Sequence, residues 1–201
     1  MHATCSDLTA FVLAGGKSVR MGTDKAFLKL GSRTLLECSL QLARSVTDGV
    51  VIVGSRQAFS GYAPVVEDVF PDRGPLGGIH AALRSSETDL NLMLSVDTPF
   101  MTEAFLRFLV AQVAPDAVVA VPRVENRWQP LCAIYRRSFA DLAEQSLTEG
   151  KNKIDALFDR VNVNALDEKS WQPLGFTSDI FRNLNTPEEL REAQISFDSR
   201  Q

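Results

Sequence analysis

Thr9-Ala10-Phe11-Val12-Leu13-Ala14-Gly15-Gly16-Lys17-Ser18-Val19-Arg20-Met21-Gly22-Thr23-Asp24-Lys25 is the stretch on which the fold turns. Residues 10–13 are an unbroken apolar run and predict a buried strand. The run gives way to a loop in which Gly15, Gly16 and Gly22 sit among the cations Lys17, Arg20 and Lys25. Glycine lets a backbone bend sharply and approach a ligand closely, because no Cβ intervenes. Successive N–H groups in such a loop form an anion-binding concavity. Fixed cations on the same loop call for a ligand with several negative charges, a nucleoside triphosphate foremost. The loop after the first strand is also where open α/β sheets place ligands.

Two familiar phosphate loops do not fit. A Walker loop needs a glycine five residues before its Gly-Lys-Ser/Thr triplet. Gly16-Lys17-Ser18 supplies the triplet, but the required position holds Phe11. No segment supplies the Gly-x-Gly-x-x-Gly of a dinucleotide fold. The ordered run Leu13-Ala14-Gly15-Gly16-x-Ser18-x-Arg20-Met21-Gly22-x-Asp24-Lys25 resembles the signature loop of the molybdenum cofactor guanylyltransferases instead. Those enzymes belong to a wider group of nucleotidyltransferases with a nucleotide-diphospho-sugar transferase type of fold.

Working outward, residues 34–46 carry apolar side chains at helical spacing, and 50–53 and 64–66 predict two more strands. Glu67-Asp68 follows the second of these. The family resemblance implies that Asp68 contacts the guanosine. Where some members carry a nucleotide-contacting asparagine on the second strand, this chain has Val53. Gly74-Pro75-Leu76-Gly77-Gly78 is similar to the family's second nucleotide-binding motif and leads into a helix through Arg84. A proline and three glycines make a rigid surface against which a planar base can lie. His80, on that helix, is expected to be packed or at the helix surface.

Residues 90–96 form the strongest predicted strand and run into Asp97-Thr98-Pro99-Phe100. An aspartate at the carboxyl end of a central strand stands where an α/β sheet exposes its ligand site. Magnesium takes one or two protein carboxylates together with phosphate oxygens and waters. Thr102 is the better cap for the helix over 102–113, which leaves Asp97 free for that task. Asp-Thr-Pro-Phe also resembles the family's metal-binding turn.

Farther on, 117–121 and 128–135 predict strands on either side of a polar stretch, 122–129. The resemblance implies that this region faces a second substrate, a pterin, with Arg123, Arg127 and Gln129 within reach of it. Helices are expected over 139–147 and 154–158 and a short strand over 161–163, while 167–176 shows little pattern. Lys151 and Lys153 stand at a helix entry within reach of phosphate. Thr186, Pro187 and Glu189 make a helix start with a capping box. Asn183 and Asn185, just ahead of it, are similar to the family's closing motif, which returns to the active site.

These features predict one domain over residues 1–201, a three-layer α/β/α arrangement around a mostly parallel sheet. The resemblance implies transfer of GMP from GTP to the phosphate of molybdenum-molybdopterin, with release of pyrophosphate. Arg20 and Lys25 are assigned to the triphosphate and Asp97 to Mg2+. Leu13, Ala14 and Gly15 are assigned to the guanine through backbone groups. The CTP-using enzymes of the same group are an alternative, as is a non-catalytic nucleotide sensor. The Leu-Ala-Gly-Gly form at 13–16 resembles the guanine type, and Arg20, Lys25 and Asp97 are all present.

With 45% hydrophobic and 23% charged residues among 201, the chain has ordinary globular composition. A net charge of −4 carries no basic footprint for nucleic acid. Three separated cysteines and two histidines indicate neither a disulfide framework nor a zinc site. No apolar run reaches membrane-spanning length, and the first residues lack the pattern of a signal peptide. A cytoplasmic monomer is expected, with molybdoenzyme maturation proteins as further partners.

Overall fold

The computed structural model describes residues 7–15 and 24–198. Its elements begin with β1 (Leu8–Leu13), a 3-10 turn at Lys25–Phe27, β2 (Lys29–Leu30), β3 (Arg33–Thr34) and α1 (Leu35–Arg44). There follow β4 (Gly49–Val53), α2 (Arg56–Phe59), β5 (Val65–Val66), α3 (Pro75–Ser85), β6 (Leu90–Ser95) and α4 (Glu103–Ala111). The second half holds β7 (Val119–Val124), β8 (Arg127–Trp128), β9 (Cys132–Arg136), α5 (Phe139–Thr148) and α6 (Asp155–Phe158). It closes with β10 (Val163–Asp167), α7 (Glu168–Trp171) and α8 (Pro187–Asp198).

The main sheet runs β10-β7-β9-β6-β1-β4-β5, with β8 paired to β7. β1 is parallel to both β4 and β6, β4 to β5, and β10 to β7. β9 lies antiparallel between β6 and β7, so the sheet is mixed but mostly parallel. Parallel strands covered by helices on both faces must be apolar on both, and β1 shows why its sequence is continuous rather than alternating. Ala10 and Val12 pack into the core with Leu36 and Leu40 of α1 and Phe105 of α4. Phe11 and Leu13 pack into the opposite core with Leu76 and Ile79 of α3 and Phe139 of α5.

This order creates the site. From β1 the chain moves outward through β4 and β5, then returns to place β6 on the other flank of β1. Such a reversal opens a crevice beyond the carboxyl ends of the strands. Gly78 lets α3 close down on that edge, since a Cβ there would lie 3.1 Å from Leu13 Cδ2 and 3.4 Å from Val53 Cγ1.

The carboxyl-terminal half departs from the sequence reading in four places, one being the strand expected over 128–135, which is broken at 129–131 into β8 and β9. The polar stretch after residue 121 is a hairpin: β7 continues to Val124 and turns through Glu125 and Asn126, both with positive φ, into β8. β10 starts later than the strand expected over 161–163, because pairing with β7 fixes its register as Val163 opposite Val119. The patternless segment that follows contains α7, whose Trp171 is fully buried and donates its indole N–H to Leu166 O at 3.2 Å. Edge contacts with Phe105 hold the ring in place.

Candidate active site

A cleft of about 870 Å³ lies over the carboxyl ends of β1, β4 and β6. Leu13, Ala14 and Gly15 line it from β1, Val53, Gly54 and Ser55 from β4, and Ser95 and Asp97 from β6. Asp68 and the first turn of α3, through Gly74, Pro75 and Gly78, close one side. Leu13, Val53, Pro75 and Leu131 give that side an apolar surface suited to a planar base.

The backbone around β1 settles which groups are available to a ligand. The N–H groups of Ala14 and Gly15 both donate to Val53 O, at 3.0 and 3.1 Å. Leu13 O accepts from Val96 N at 3.3 Å. The carbonyl oxygens of Ala14 and Gly15 accept no hydrogen bond from another described residue. Among the described residues of this turn, the carbonyl oxygens of Ala14 and Gly15 are left unengaged and their N–H groups are not.

Asp68 is held over the first turn of α3. Its Oδ1 accepts from Phe70 N at 2.8 Å, and Gly77 presents bare backbone beneath it. A Cβ on Gly77 would stand 2.9 Å from Asp68 Cγ, too close for both to stay. Gly77→Ala is expected to fold, since alanine is favoured over glycine in a helix by about 1 kcal/mol. The carboxylate has to swing away, so nucleotide affinity should drop about ten-fold if it contacts the ligand, the worth of one charge-assisted hydrogen bond. Titration with fluorescent nucleoside triphosphate analogues and a thermal melt separate the two effects. Unchanged affinity would remove Asp68 from the ligand's contacts.

Partial desolvation over the first turn of α3 raises the Asp68 carboxyl from its ordinary value, partly offset by the Phe70 N–H and the nearby His80. A carboxyl raised on folding destabilises the folded state once it ionises, so its penalty grows as pH rises through the folded pKa. Asp68→Asn is therefore expected to melt higher than the parent near neutral pH, with the gap closing in acid. Nucleotide affinity should fall in the same variant. A gap that persists in acid would trace to packing instead.

The charged centre lies at the β6 edge of the cleft. Lys25 Nζ donates to Asn185 Oδ1 at 2.7 Å and lies 3.7 Å from Asp97 Oδ2. The Lys25 and Asp97 side chains keep 18% and 22% of their surface exposed, so both remain open to a ligand. Ser95 Oγ donates to Asp97 Oδ1 at 2.6 Å, which fixes the carboxylate and leaves Oδ2 facing Lys25. Asp24 caps the 3-10 turn that carries Lys25, its Oδ1 accepting from Ala26 N at 3.0 Å. The capping box at α8 is formed as expected, Glu189 N to Thr186 Oγ1 at 3.1 Å and Thr186 N to Glu189 Oε2 at 2.9 Å. Leu184 N donates to Asp97 O at 2.9 Å, so this capped segment is laid directly alongside Asp97. Residues far apart in sequence thus meet at one point.

Residues 10–168 match the MobA-like NTP transferase domain, which is most of the chain. The chain belongs to the MobA-like NTP transferase family. It is 33% identical over 193 residues to the molybdenum cofactor guanylyltransferase of Desulfosudis oleivorans, covering 94% of this chain and 96% of that protein. A probable molybdenum cofactor guanylyltransferase of Pelotomaculum thermopropionicum is also 33% identical, over 93% of this chain and 92% of the other. Among solved structures, the molybdopterin-guanine dinucleotide biosynthesis protein A of Archaeoglobus fulgidus superposes with a TM-score of 0.82 at 27% identity. It covers 96% of this chain and 100% of that one. As a MobA-like NTP transferase the chain is a nucleotidyltransferase, and its mixed sheet is of the nucleotide-diphospho-sugar transferase type.

Several of the residues singled out in this MobA-like chain converge. Leu13, Ala14, Gly15, Asp68 and Asp97 line one cleft, and Lys25 stands against Asp97. Lys17 and Arg20 lie outside the described residues. Asp97 caps no helix: Thr102 Oγ1 accepts from Phe105 N at 3.3 Å instead. Arg123 is not free for a second substrate, because Asp167 binds it through two bonds at 2.7 and 3.2 Å and Trp128 lies under it. Lys151 is paired with Glu149 at 2.7 Å. His80 is buried at 4% exposure, edge-on to Phe70, and takes no part in the cleft. Ser95 went unnoticed in the sequence, although its spacing of two residues from Asp97 was the available signal. Among the described residues no helix is long and apolar enough to cross a membrane.

Proposed function

We propose that this protein transfers GMP from GTP to the terminal phosphate of molybdenum-molybdopterin, giving a molybdopterin guanine dinucleotide and pyrophosphate. The observation that carries this is the meeting of Lys25, Asp97 and Asn185 at the edge of a nucleotide-sized cleft. The names of the relatives supply the acceptor. An oxygen of the acceptor phosphate attacks the α-phosphorus of GTP, and the bond between that phosphorus and the oxygen bridging to the β-phosphate breaks. Pyrophosphate leaves with the electron pair.

A phosphate monoester is already anionic near neutral pH, so no side chain has to remove a proton. What the protein must supply is positioning and positive charge against two approaching anions. We assign Lys25 and Arg20 to the triphosphate, and the position of Lys25 beside Asp97 supports its part in that assignment. The carbonyls of Ala14 and Gly15 suit the adjacent N1–H and N2 amino donors of guanine, and Asp68 accepts from the same nucleoside.

The donor set fits a magnesium ion. Asp97 is a single oriented carboxylate, and the described residues contain no group of three or more His, Cys, Asp or Glu that would form a closed site. Magnesium takes one or two carboxylates and completes its shell with phosphate oxygens and water. Asp97 would hold it, and the ion would neutralise charge on the triphosphate.

The test is incubation of the purified protein with magnesium, molybdenum-molybdopterin and either GTP or CTP, with the product identified by mass. A guanine dinucleotide is expected. A cytosine dinucleotide would overturn the base assignment but keep the reaction, and no product with either nucleotide would overturn the reading.

A further inference from the structure

We propose that Arg182 binds the phosphate of the acceptor substrate, a role that rests on the transfer reaction above. The Arg182 guanidinium lies over the Phe100 ring, 4.5 Å from its centroid. A contact between a guanidinium and a ring face uses none of the guanidinium's N–H groups in a hydrogen bond to a protein oxygen. Among the described residues Arg182 makes no ion pair, and its side chain is exposed. A cation fixed by a ring and left without a carboxylate is arranged for an anion that comes from outside.

Its position selects the anion. Phe100 closes the turn that begins at Asp97, and Leu184, two residues from Arg182, is hydrogen-bonded to Asp97 O at 2.9 Å. The next residue, Asn185, accepts from Lys25 Nζ at 2.7 Å. One short segment therefore touches Asp97, Lys25 and Phe100 together. Neither Phe100 nor Arg182 lines the cleft assigned to the nucleotide. Arg182 is thus next to the reacting centre but outside the nucleotide's cleft, where the second phosphate has to arrive. Of the two cations first expected there, Arg123 is held by Asp167 and Trp128, and Arg127 stands exposed on β8. A phosphate monoester suits the planar fork of arginine, which holds two of its oxygens at once.

The experiment compares the full-length protein with Arg182→Ala and Arg182→Lys. Arg182→Ala is expected to raise KM for molybdenum-molybdopterin about ten-fold or more, the loss of one charge-assisted contact, with KM for GTP unchanged. Arg182→Lys should recover part of that loss, because it restores charge but not the fork. Equilibrium dialysis of molybdopterin without nucleotide should show the same weakening. That measurement needs no turnover, so a parent protein that binds molybdopterin through Arg182 yet makes no guanine dinucleotide would sink the reaction and not this site. Unchanged acceptor KM and binding would overturn the proposal. So would equal losses for GTP and acceptor, or weaker pyrophosphate inhibition with acceptor KM unchanged. Matching thermal melts for parent and variants exclude misfolding as the cause.

Discussion

Asp97→Asn should lower turnover about 10³-fold, roughly 4 kcal/mol in the barrier, while leaving the fold intact. Asparagine is the same size and retains an oxygen for the Ser95 hydroxyl, which donates to Oδ1 at 2.6 Å in the parent. What changes is the other side. Oδ2, now 3.7 Å from Lys25 Nζ, becomes an amide nitrogen, so two donors face each other and the negative charge disappears. The Lys25–Asp97 pair is partly exposed, and such pairs contribute about 0–1 kcal/mol to stability, so the melting temperature should move little. A carboxylate proposed to hold magnesium against the triphosphate is a different matter, because its charge acts where charge accumulates. The half-saturating magnesium concentration should rise in the same variant. Binding of Mn2+ in the presence of GTP, followed by electron paramagnetic resonance, reads that loss without turnover. Activity within ten-fold of the parent would place the reacting centre elsewhere.

How the chain announces this centre depends on the range of the interaction that fixes each part. β1 is apolar on both faces because helices cover both, so the run 10–13 marked it without ambiguity. β6 carries Leu92 and Leu94 on one face and Met93 between the buried Asn91 and Ser95 on the other. Asp97 was legible for the same reason: it ends the clearest strand, and Thr102 removes the need for it as a cap. Asp68 was visible only through its resemblance, since an acidic pair after a strand is commonly a solvated loop. The bare backbone of Gly77 beneath it is a tertiary fact.

The parts that stayed hidden are those decided by a distant partner. That the Ala14 and Gly15 N–H groups are engaged by Val53 O follows from the parallel pairing of β1 with β4, which no local pattern states. The same holds for Arg123, which looks free in sequence and is bound by Asp167 because β10 lies beside β7. The segment around Trp171 has no helical spacing of its own, and the aromatic contacts with Phe105 and Phe181 organise it.

Lys25→Met should reduce kcat/KM for GTP about 10²- to 10³-fold, in the range found when one preorganised charged donor is removed from a reacting centre. Methionine keeps much of the aliphatic stem and removes the charge, so the 3-10 turn capped by Asp24 should persist. Two charges about 4 Å apart interact by about 4 kcal/mol at an effective dielectric near 20, enough for a lysine facing the triphosphate to matter at this scale. Lys25→Arg should not restore the activity, because a planar fork cannot occupy the position of a compact ammonium between Asn185 and Asp97. The partner variant decides how the position works. Asn185 Oδ1 accepts from Nζ at 2.7 Å, so Asn185→Ala releases the lysine without removing its charge. If Asn185 acts by aiming Lys25, its substitution should cost about ten-fold in the parent and nothing further in the Lys25→Met background, a coupling of about 1.4 kcal/mol. Additive losses would mean that Asn185 touches substrate on its own account, and that the closing segment contributes a second contact rather than a support for the first.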